Sequence, residues 1–117
     1  MPDPSEPDCL FCRIAVGEIP ADVVLDTDEV VAFRDLNPQA PTHVLVIPRD
    51  HAPNAASTAA RDEALVGKLV TAAGEVAVIE GLESYRMVLN TGADAGQSVF
   101  HTHLHVLGGR SFQWPPG

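Results

Sequence analysis

Residues 99–107 read Val99-Phe100-His101-Thr102-His103-Leu104-His105-Val106-Leu107, and three of the chain's five histidines lie in this stretch. Side chains of a β-strand alternate between its two faces. A strand through the stretch therefore places His101, His103 and His105 in a row on one face, about 6.6–7 Å apart. The residues between them are largely apolar, so the opposite face can pack under a helix.

Three interpretations fit a row of histidines on one strand face. The row could be solvated or part of a hydrogen-bonded core, but three histidines at a spacing of two, after the turn Gly96-Gln97-Ser98, are costly in a packed sheet. It could bind a metal ion, because His-x-His on a strand suits zinc or iron. It could also supply a nucleophile, since imidazole has a reference pKa of about 6.5 and is mostly neutral at pH 7.

The turn before the histidines offers an anion site that needs no basic side chain. Backbone N–H groups of Gly96–Ser98 can hold a phosphate through their dipoles, and Gln97 and Ser98 add an amide and a hydroxyl. The chain has a single lysine, Lys68, and lacks a Gly-rich Lys-Ser/Thr phosphate loop. We therefore expect any bound phosphate to be held by this turn and by the histidines.

Hydrophobic periodicity along the chain predicts an α+β fold with a mainly antiparallel, five-stranded sheet. A short helix is expected from Leu10 to Gly17, and one long helix is expected over residues 58–80, where apolar residues recur about every 3.6 to 4 positions. Residues 37–41 contain two prolines and are predicted to form a loop. The predicted strands are Val23–Leu25, Val30–Phe33, Val44–Ile47, Tyr85–Asn90 and Thr102–Leu107.

Two features of the predicted long helix concern its ends and one of its faces. Asp62 and Glu63 lie near its start, where the helix dipole favours acids, and Gly81 lies just past its end. Gly67 and Gly74 are one heptad apart and share a face. Either this face admits close approach of another element, such as the same helix of a second subunit, or the two glycines are tolerated weak positions.

Length and charge exclude several classes of protein. A chain of 117 residues is room for one domain; we place it at residues 9–117, after an acidic, Pro-rich tail at residues 1–8 that we expect to be disordered. Seven basic and sixteen acidic residues give a formal charge of −9, which argues against nucleic-acid and membrane partners. The first residues lack the basic and apolar regions of a secretory signal, which predicts a cytoplasmic protein.

Taken with its flanks, the histidine stretch resembles the histidine triad family. Residues 101–107 fit that family's His-x-His-x-His-(apolar)-(apolar) motif. The similarity is to the Hint branch, the histidine triad nucleotide-binding proteins, and covers nearly everything after residue 8. The other matching segments are residues 34–43, Val46-Ile47-Pro48, Tyr85–Val88, Gly96–Ser98, Leu107–Arg110 and Trp114–Gly117.

This resemblance implies a fold, an assembly and a reaction. The fold would be the histidine triad fold, built as a homodimer whose sheets join across the two-fold axis into one continuous sheet. The reaction would be hydrolysis of a purine nucleoside 5′-phosphoramidate, such as adenosine monophosphoramidate, to the nucleoside monophosphate and an amine. His103 would attack phosphorus and form a nucleotidyl-histidine intermediate, which water then resolves. No metal would be required for this catalysis.

The resemblance also assigns roles to residues around His103. His105 would bind the phosphate, while His43 and His101 would support proton relay. Ser98 would lie near the leaving group, and Asp35 would accept the ribose hydroxyls. The remaining nucleotide-binding residues are Leu10, Phe11, Ile14, Phe33 and Leu36 at the base, Asn90, Gly96 and Gln97 at the phosphate and ribose, and Trp114, which would reach toward the partner's site.

Cys9 and Cys12 form a C-x-x-C pair, which in a cytosolic protein indicates metal binding or redox chemistry. No predicted strand precedes the pair, which disfavours a thioredoxin-type motif. Some bacterial histidine triad proteins hold zinc on such a pair, and the resemblance matches their other ligands to His51 and His101. The sequence thus leaves two alternatives: a structural Zn²⁺ on these four residues, or two reduced thiols.

Two other functions remain open at this point. One is hydrolysis of dinucleoside polyphosphates, as in the related Fhit branch, although the ending Trp114-Pro115-Pro116-Gly117 favours the Hint branch. The other is a nucleotide-binding regulatory dimer without catalysis. The presence of both His103 and Ser98 favours an enzyme, because a vestigial one could have lost either residue.

Overall fold

The computed structural model describes residues 8–117, and the fold is α+β with one five-stranded antiparallel sheet. Its spatial order is β1-β2-β3-β5-β4, which confirms the predicted fold class. The predicted disordered tail lies outside the described residues apart from Asp8. The strands are β1 (Val23–Asp26), β2 (Val30–Arg34), β3 (Thr42–Pro48), β4 (Tyr85–Val88) and β5 (Leu104–Gly108).

Helices cover both faces of the sheet. The short helix α1 (Leu10–Ala15) lies on one face, where Phe11 packs with Phe33, Leu45 and Ile47. The helix α3 (Glu63–Ile79) lies on the other, where Leu69 and Val76 pack with Leu104 and other strand residues. Because strand side chains alternate, even-numbered residues of β5 face α3 and odd-numbered residues face α1.

The predicted long helix is two helices, α2 (Ala55–Arg61) and α3, separated at Asp62. The backbone of Asp62 is extended (φ −158°, ψ 90°). Its N–H donates to the Thr58 carbonyl, ending α2, and its carboxylate accepts the N–H of Leu65, beginning α3. The prediction of one helix over 58–80 was therefore wrong at its N-terminal end, because Asp62 ends one helix and caps the next.

Strand β5 begins two residues later than predicted, so His101 and His103 precede it rather than lie in it. The reason is that the N–H of Thr102 donates to the Ala52 carbonyl (2.9 Å), which is outside the sheet, and its hydroxyl bonds Thr58 (2.7 Å). The alternation nonetheless continues: Thr102 faces α2, while the rings of His101 and His103 face α1 through Phe11.

Strand β4 is shorter than predicted and ends at Val88 rather than Asn90. After it, the chain forms a 3₁₀ turn at Ala93–Ala95 and reaches the histidine stretch through Gly96, whose φ is +94°. None of the helices in residues 8–117 is both long enough and apolar enough to cross a membrane.

Candidate active site

A cleft of about 280 Å³ opens between α1, the ends of β2 and β3, and the histidine stretch. Apolar side chains line most of it, together with carboxylate, hydroxyl and imidazole groups, which is the usual composition of a small-ligand site. Nine residues predicted from the sequence line it: Leu10, Phe11, Ile14, Phe33, Asp35, Leu36, Ser98, His103 and His105.

The hydrogen bonds of His103 fix which of its nitrogens is nucleophilic. Its Nδ1 lies 2.7 Å from the backbone carbonyl of His101. A carbonyl oxygen can only accept, so Nδ1 carries the proton and the lone pair of the neutral ring is on Nε2. The edge of Phe11 packs against the ring, with centroids 5.1 Å apart. The backbone of His101 and the helix α1 therefore hold the ring of His103, which lines the cleft and has its lone pair on Nε2.

A chain of hydrogen bonds sets the protonation of His105 in the same way. The backbone N–H of Gln39 donates to Nδ1 of His43 (3.0 Å), so neutral His43 carries its proton on Nε2. That Nε2 lies 2.9 Å from Nδ1 of His105, which must then accept. A carboxylate oxygen of Asp35 lies 3.4 Å from the same Nε2 atom of His43 and helps to orient that ring.

The consequence for His105 is an N–H group with no partner. Its proton is on Nε2, and within residues 8–117 this buried atom makes no hydrogen bond. A buried donor without an acceptor is costly unless a ligand supplies one. Since His105 lines the cleft beside His103, with ring centroids 4.9 Å apart, an anionic oxygen at this end of the cleft would satisfy it.

Burial keeps the relay histidines neutral. Burial, together with the adjacent rings of His103 and His43, lowers the pKa of His105 to about 4. Burial also lowers the pKa of His43, against the opposing effect of Asp35. At pH 7 both rings are therefore neutral, which is the state in which the tautomers described above exist.

The structure places the remaining predicted residues away from the cleft. The Gln97 side chain is buried, accepts the N–H of Gly92 (2.8 Å) and donates to the carbonyls of Pro53 and Val99, so it braces the loop. Asn90 and Gly96 lie on this same loop, outside the cleft lining, and Trp114 is 84% exposed. His43 lies behind His105 and acts on the cleft only through that ring.

Four donor atoms converge beside the cleft, at Cys9, Cys12, His51 and His101, all within 4.8 Å of one another. The two Nδ1 atoms are 3.1 Å apart, and each cysteine sulfur lies 3.4 Å from Nδ1 of His101. A tetrahedral zinc with two nitrogen and two sulfur ligands requires separations of about 3.3 Å between nitrogens and about 3.6 Å between nitrogen and sulfur.

The second nitrogen of His101 supports this fit. Its Nε2 lies 2.8 Å from the carbonyl of Pro48, so the proton is on Nε2 and Nδ1 offers a lone pair to the cluster. The two sulfurs, which bind as thiolates, and two neutral imidazoles suit zinc by number, type and spacing. These four residues therefore fit the zinc ion that the C-x-x-C pair suggested.

Sequence reasoning missed several lining residues: Ile19, Pro20, Ala21, Asp22, Arg34, Leu45 and Val99. Leu45 could have been predicted, because it lies two positions after His43 and hence on the same face of β3. The segment Ile19–Asp22 carries no periodic signal, since it is an irregular connection between α1 and β1.

Fold and site together define an α+β protein with a histidine-lined cleft and an adjoining Cys₂His₂ cluster. The sequence model of the HIT domain matches residues 16–112. The chain therefore belongs to the HIT domain family.

Three similar proteins match this chain over almost their whole length. An uncharacterized HIT-like protein of Synechocystis sp. is 50% identical over 111 residues, covering 94% of this chain and 97% of that protein. The solved HIT family hydrolase from Legionella pneumophila has a TM-score of 0.90 and 47% identity, covering 94% of this chain and 100% of its own. A histidine triad protein from Clostridium difficile has a TM-score of 0.89 and 37% identity, with coverages of 93% and 96%.

Proposed function

We propose that this chain is a nucleoside 5′-phosphoramidate hydrolase of the Hint branch, acting through a nucleotidyl intermediate on His103. The observation that carries the proposal is the pair of neighbouring imidazoles with opposite protonation: a lone pair on Nε2 of His103 and an unpartnered N–H on Nε2 of His105. One is a nucleophile and the other an anion donor, which is the combination needed for attack on a phosphoryl group.

The two chemical steps follow from these positions. Nε2 of His103 attacks the α-phosphorus, the P–N bond breaks, and the amine leaves with a proton supplied by the histidine cluster. Nε2–H of His105 donates to a phosphoryl oxygen as charge develops on it. Water then attacks the same phosphorus and gives up a proton that restores the histidine cluster, the P–N bond to His103 breaks, and the nucleoside monophosphate is released.

The rest of the cleft suits a purine nucleoside. Phe11, Ile14 and Phe33 offer an apolar slot for the base. Each oxygen of Asp35 retains a free lone pair beyond its contacts to Asn37 and His43, and can accept a ribose hydroxyl. A solved relative from Candida albicans, 25% identical with a TM-score of 0.78, is named a histidine triad nucleotide-binding protein.

We propose further that Cys9, Cys12, His51 and His101 hold a structural zinc ion. When bound, zinc would contribute folding free energy by tying α1 to the histidine stretch, as structural zinc sites do. Catalysis in this account needs no metal, and every chemical step is performed by His103, His105 and their partners.

We also propose a homodimer in which β4 of two copies pair. Among the described strands, β4 pairs only with β5 and leaves one edge free. Tyr85 and Met87 of β4 are exposed, and the Tyr85 hydroxyl lies 4.0 Å from the Cβ position of Gly74 on α3. Val70 and Val78 are also exposed, and their spacing of four residues from Gly74 places them on the same face of α3. An unpaired edge next to an apolar helix face is suited to self-association.

The proposed activity is tested by turnover of a fluorogenic adenosine phosphoramidate beside a diadenosine polyphosphate, with His103→Ala as the control. We expect hydrolysis of the phosphoramidate at a kcat/KM at least about tenfold above that for the polyphosphate, and none in the variant. Preference for the polyphosphate would favour the Fhit-type alternative. Nucleotide binding without turnover of either compound would indicate a regulatory protein.

A further inference from the structure

The segment that follows β5 reaches back to the loop that sets the protonation of His43. Nε–H of Arg110 donates to the backbone carbonyl of Gln39 (3.0 Å), and its guanidinium also donates to the Ser111 carbonyl (3.1 Å). The guanidinium lies over the ring of Phe112, 4.1 Å from its centroid. Within residues 8–117, no carboxylate forms an ion pair with Arg110, so its contacts serve to hold backbone rather than to balance charge.

Gln39 is the residue whose N–H fixes the tautomer of His43. Its N–H donates to Nδ1 of that ring (3.0 Å), and its side chain donates to the carbonyl of Asn37 (3.0 Å). Arg110 thus holds the carbonyl on one side of the Gln39 Cα atom, while the N–H on the other side orients His43. Movement of this residue would release both bonds together.

Close packing of the same two segments leaves the loop little freedom. A Cβ atom on Gly109 would lie 2.9 Å from Cβ of Pro41, and Gly109 has a φ of +88°, which favours glycine. Pro41, two residues after Gln39, is therefore packed directly against Gly109, the residue before Arg110.

We propose that Arg110 is a positioning residue for the histidine relay. By holding the Gln39 backbone it keeps His43 in the Nε2–H form, and so keeps the unpartnered proton of His105 on the nitrogen available to the phosphate. The kinetic part of this inference rests on the proposed function, whereas the tautomer part is a property of the resting protein.

Two substitutions separate the hydrogen bond from the charge. Arg110→Gln places an amide nitrogen at the position of Nε, retaining a donor for the Gln39 carbonyl without the cation. Arg110→Met has similar length and no donor. Arg86→Ala is the matched control, because Arg86 also stacks on Phe112, 5.0 Å from its centroid, but bonds Gln113 rather than Gln39.

The test is the ¹⁵N NMR spectrum of the His43 and His105 rings at neutral pH, without substrate. We expect the Nε2–H form of both rings in the wild type, in Arg86→Ala and predominantly in Arg110→Gln, and mixed tautomers in Arg110→Met. With a phosphoramidate substrate, we expect Arg110→Met to lower kcat about fivefold and to change KM less than twofold, because one hydrogen bond is lost and the base slot is untouched.

Two results would overturn the inference. Unaltered tautomers in Arg110→Met would show that the loop holds without Arg110. Equal changes in Arg110→Gln, Arg110→Met and Arg86→Ala would assign the effect to charge or to the packing of the C-terminal segment. A wild type that shows the expected tautomers but no turnover would refute the proposed function and leave the tautomer result standing.

Discussion

At the scale of single residues, the site is defined by where protons lie rather than by which residues are present. A backbone carbonyl at Nδ1 of His103 and a histidine at Nδ1 of His105 leave Nε2 free on both rings, but this nitrogen offers a lone pair on His103 and an N–H on His105. The sequence supplies the residue types, but the tautomers depend on Gln39 and on the backbone of His101. Neither hydrogen bond follows from a motif, because both depend on the path of an irregular segment.

Asp35 offers a direct test of how ribose is recognised. Asp35→Asn keeps an acceptor for the Asn37 N–H but removes the charge. We expect kcat/KM to fall about tenfold or more for a ribonucleoside phosphoramidate, because hydrogen bonds to charged groups contribute about 1.5–3 kcal/mol. With a 2′,3′-dideoxy substrate, the same substitution should lower kcat/KM much less. Equal losses of kcat/KM on both substrates would show that Asp35 acts only through its contact with His43.

His105 makes stability depend on pH. Folding lowers its pKa from 6.5 to about 4, so below pH 6.5 the unfolded chain binds a proton that the folded chain does not. The fold favours the neutral form of His105, so the stability of the protein is greatest above pH 6.5 and falls as the pH drops from 6.5 to about 4.

Urea unfolding of the wild type and of His105→Gln at several pH values measures this contribution. The difference in the free energy of unfolding between the two proteins should shrink, or reverse in favour of the variant, as the pH falls through that window. A difference that is independent of pH would contradict the assignment of a depressed pKa to His105.

At the scale of secondary structure elements, α1 connects the two proposed sites. Phe11 lines the cleft, and it lies in the sequence between Cys9 and Cys12 of the proposed zinc site. Each wild-type chain should contain about one zinc after dialysis. Cys12→Ser should lose the zinc, melt about 10 °C lower if about 2 kcal/mol is lost, and bind nucleoside monophosphate more weakly. Arg13→Ser, an exposed change on the same helix, is the control. Wild-type protein that is metal-free and fully folded would contradict this prediction.

Elements with a periodic signal could be predicted, and those fixed by a single polar contact could not. Alternation through residues 101–107 predicted which face each histidine occupies, and this held although the ladder itself begins at Leu104. The interruption at Asp62 was missed because the residues on both sides of it are compatible with a helix, and the cap depends on the side chain of Asp62 alone. Gln97 was assigned to the ligand by resemblance, whereas its amide bonds two backbone groups of its own loop and the carbonyl of Pro53.

At the scale of the whole molecule, we expect two copies of the chain to pair through β4, as proposed above. Sedimentation should give a mass of twice 12.4 kDa. Val70→Lys places a charge on the face of α3 that carries Gly67 and Gly74 and should yield monomers. Val23→Lys, on the opposite edge of the sheet and 47% exposed, should remain dimeric. Dissociation by the Val23 change, and not by the Val70 change, would place the interface on the other edge.

Whether a dimer completes the cleft bears on Trp114, which is largely exposed in the single chain. If this side chain reaches the partner's cleft, as the resemblance implied, the monomeric Val70→Lys protein should lose discrimination among amine leaving groups while retaining His103 and its partners intact. Unchanged selectivity in that protein would show that Trp114 does not contribute to the partner's cleft.

The central claim is that Nε2 of His103 forms a bond to phosphorus, and rapid acid-free quenching followed by intact-protein mass spectrometry tests it most directly. With an adenosine phosphoramidate in excess, we expect a transient species heavier by one adenylyl group, with the modification on His103 in peptide fragments and absent from His103→Ala. Turnover without any adduct, or an adduct on another residue, would contradict the account.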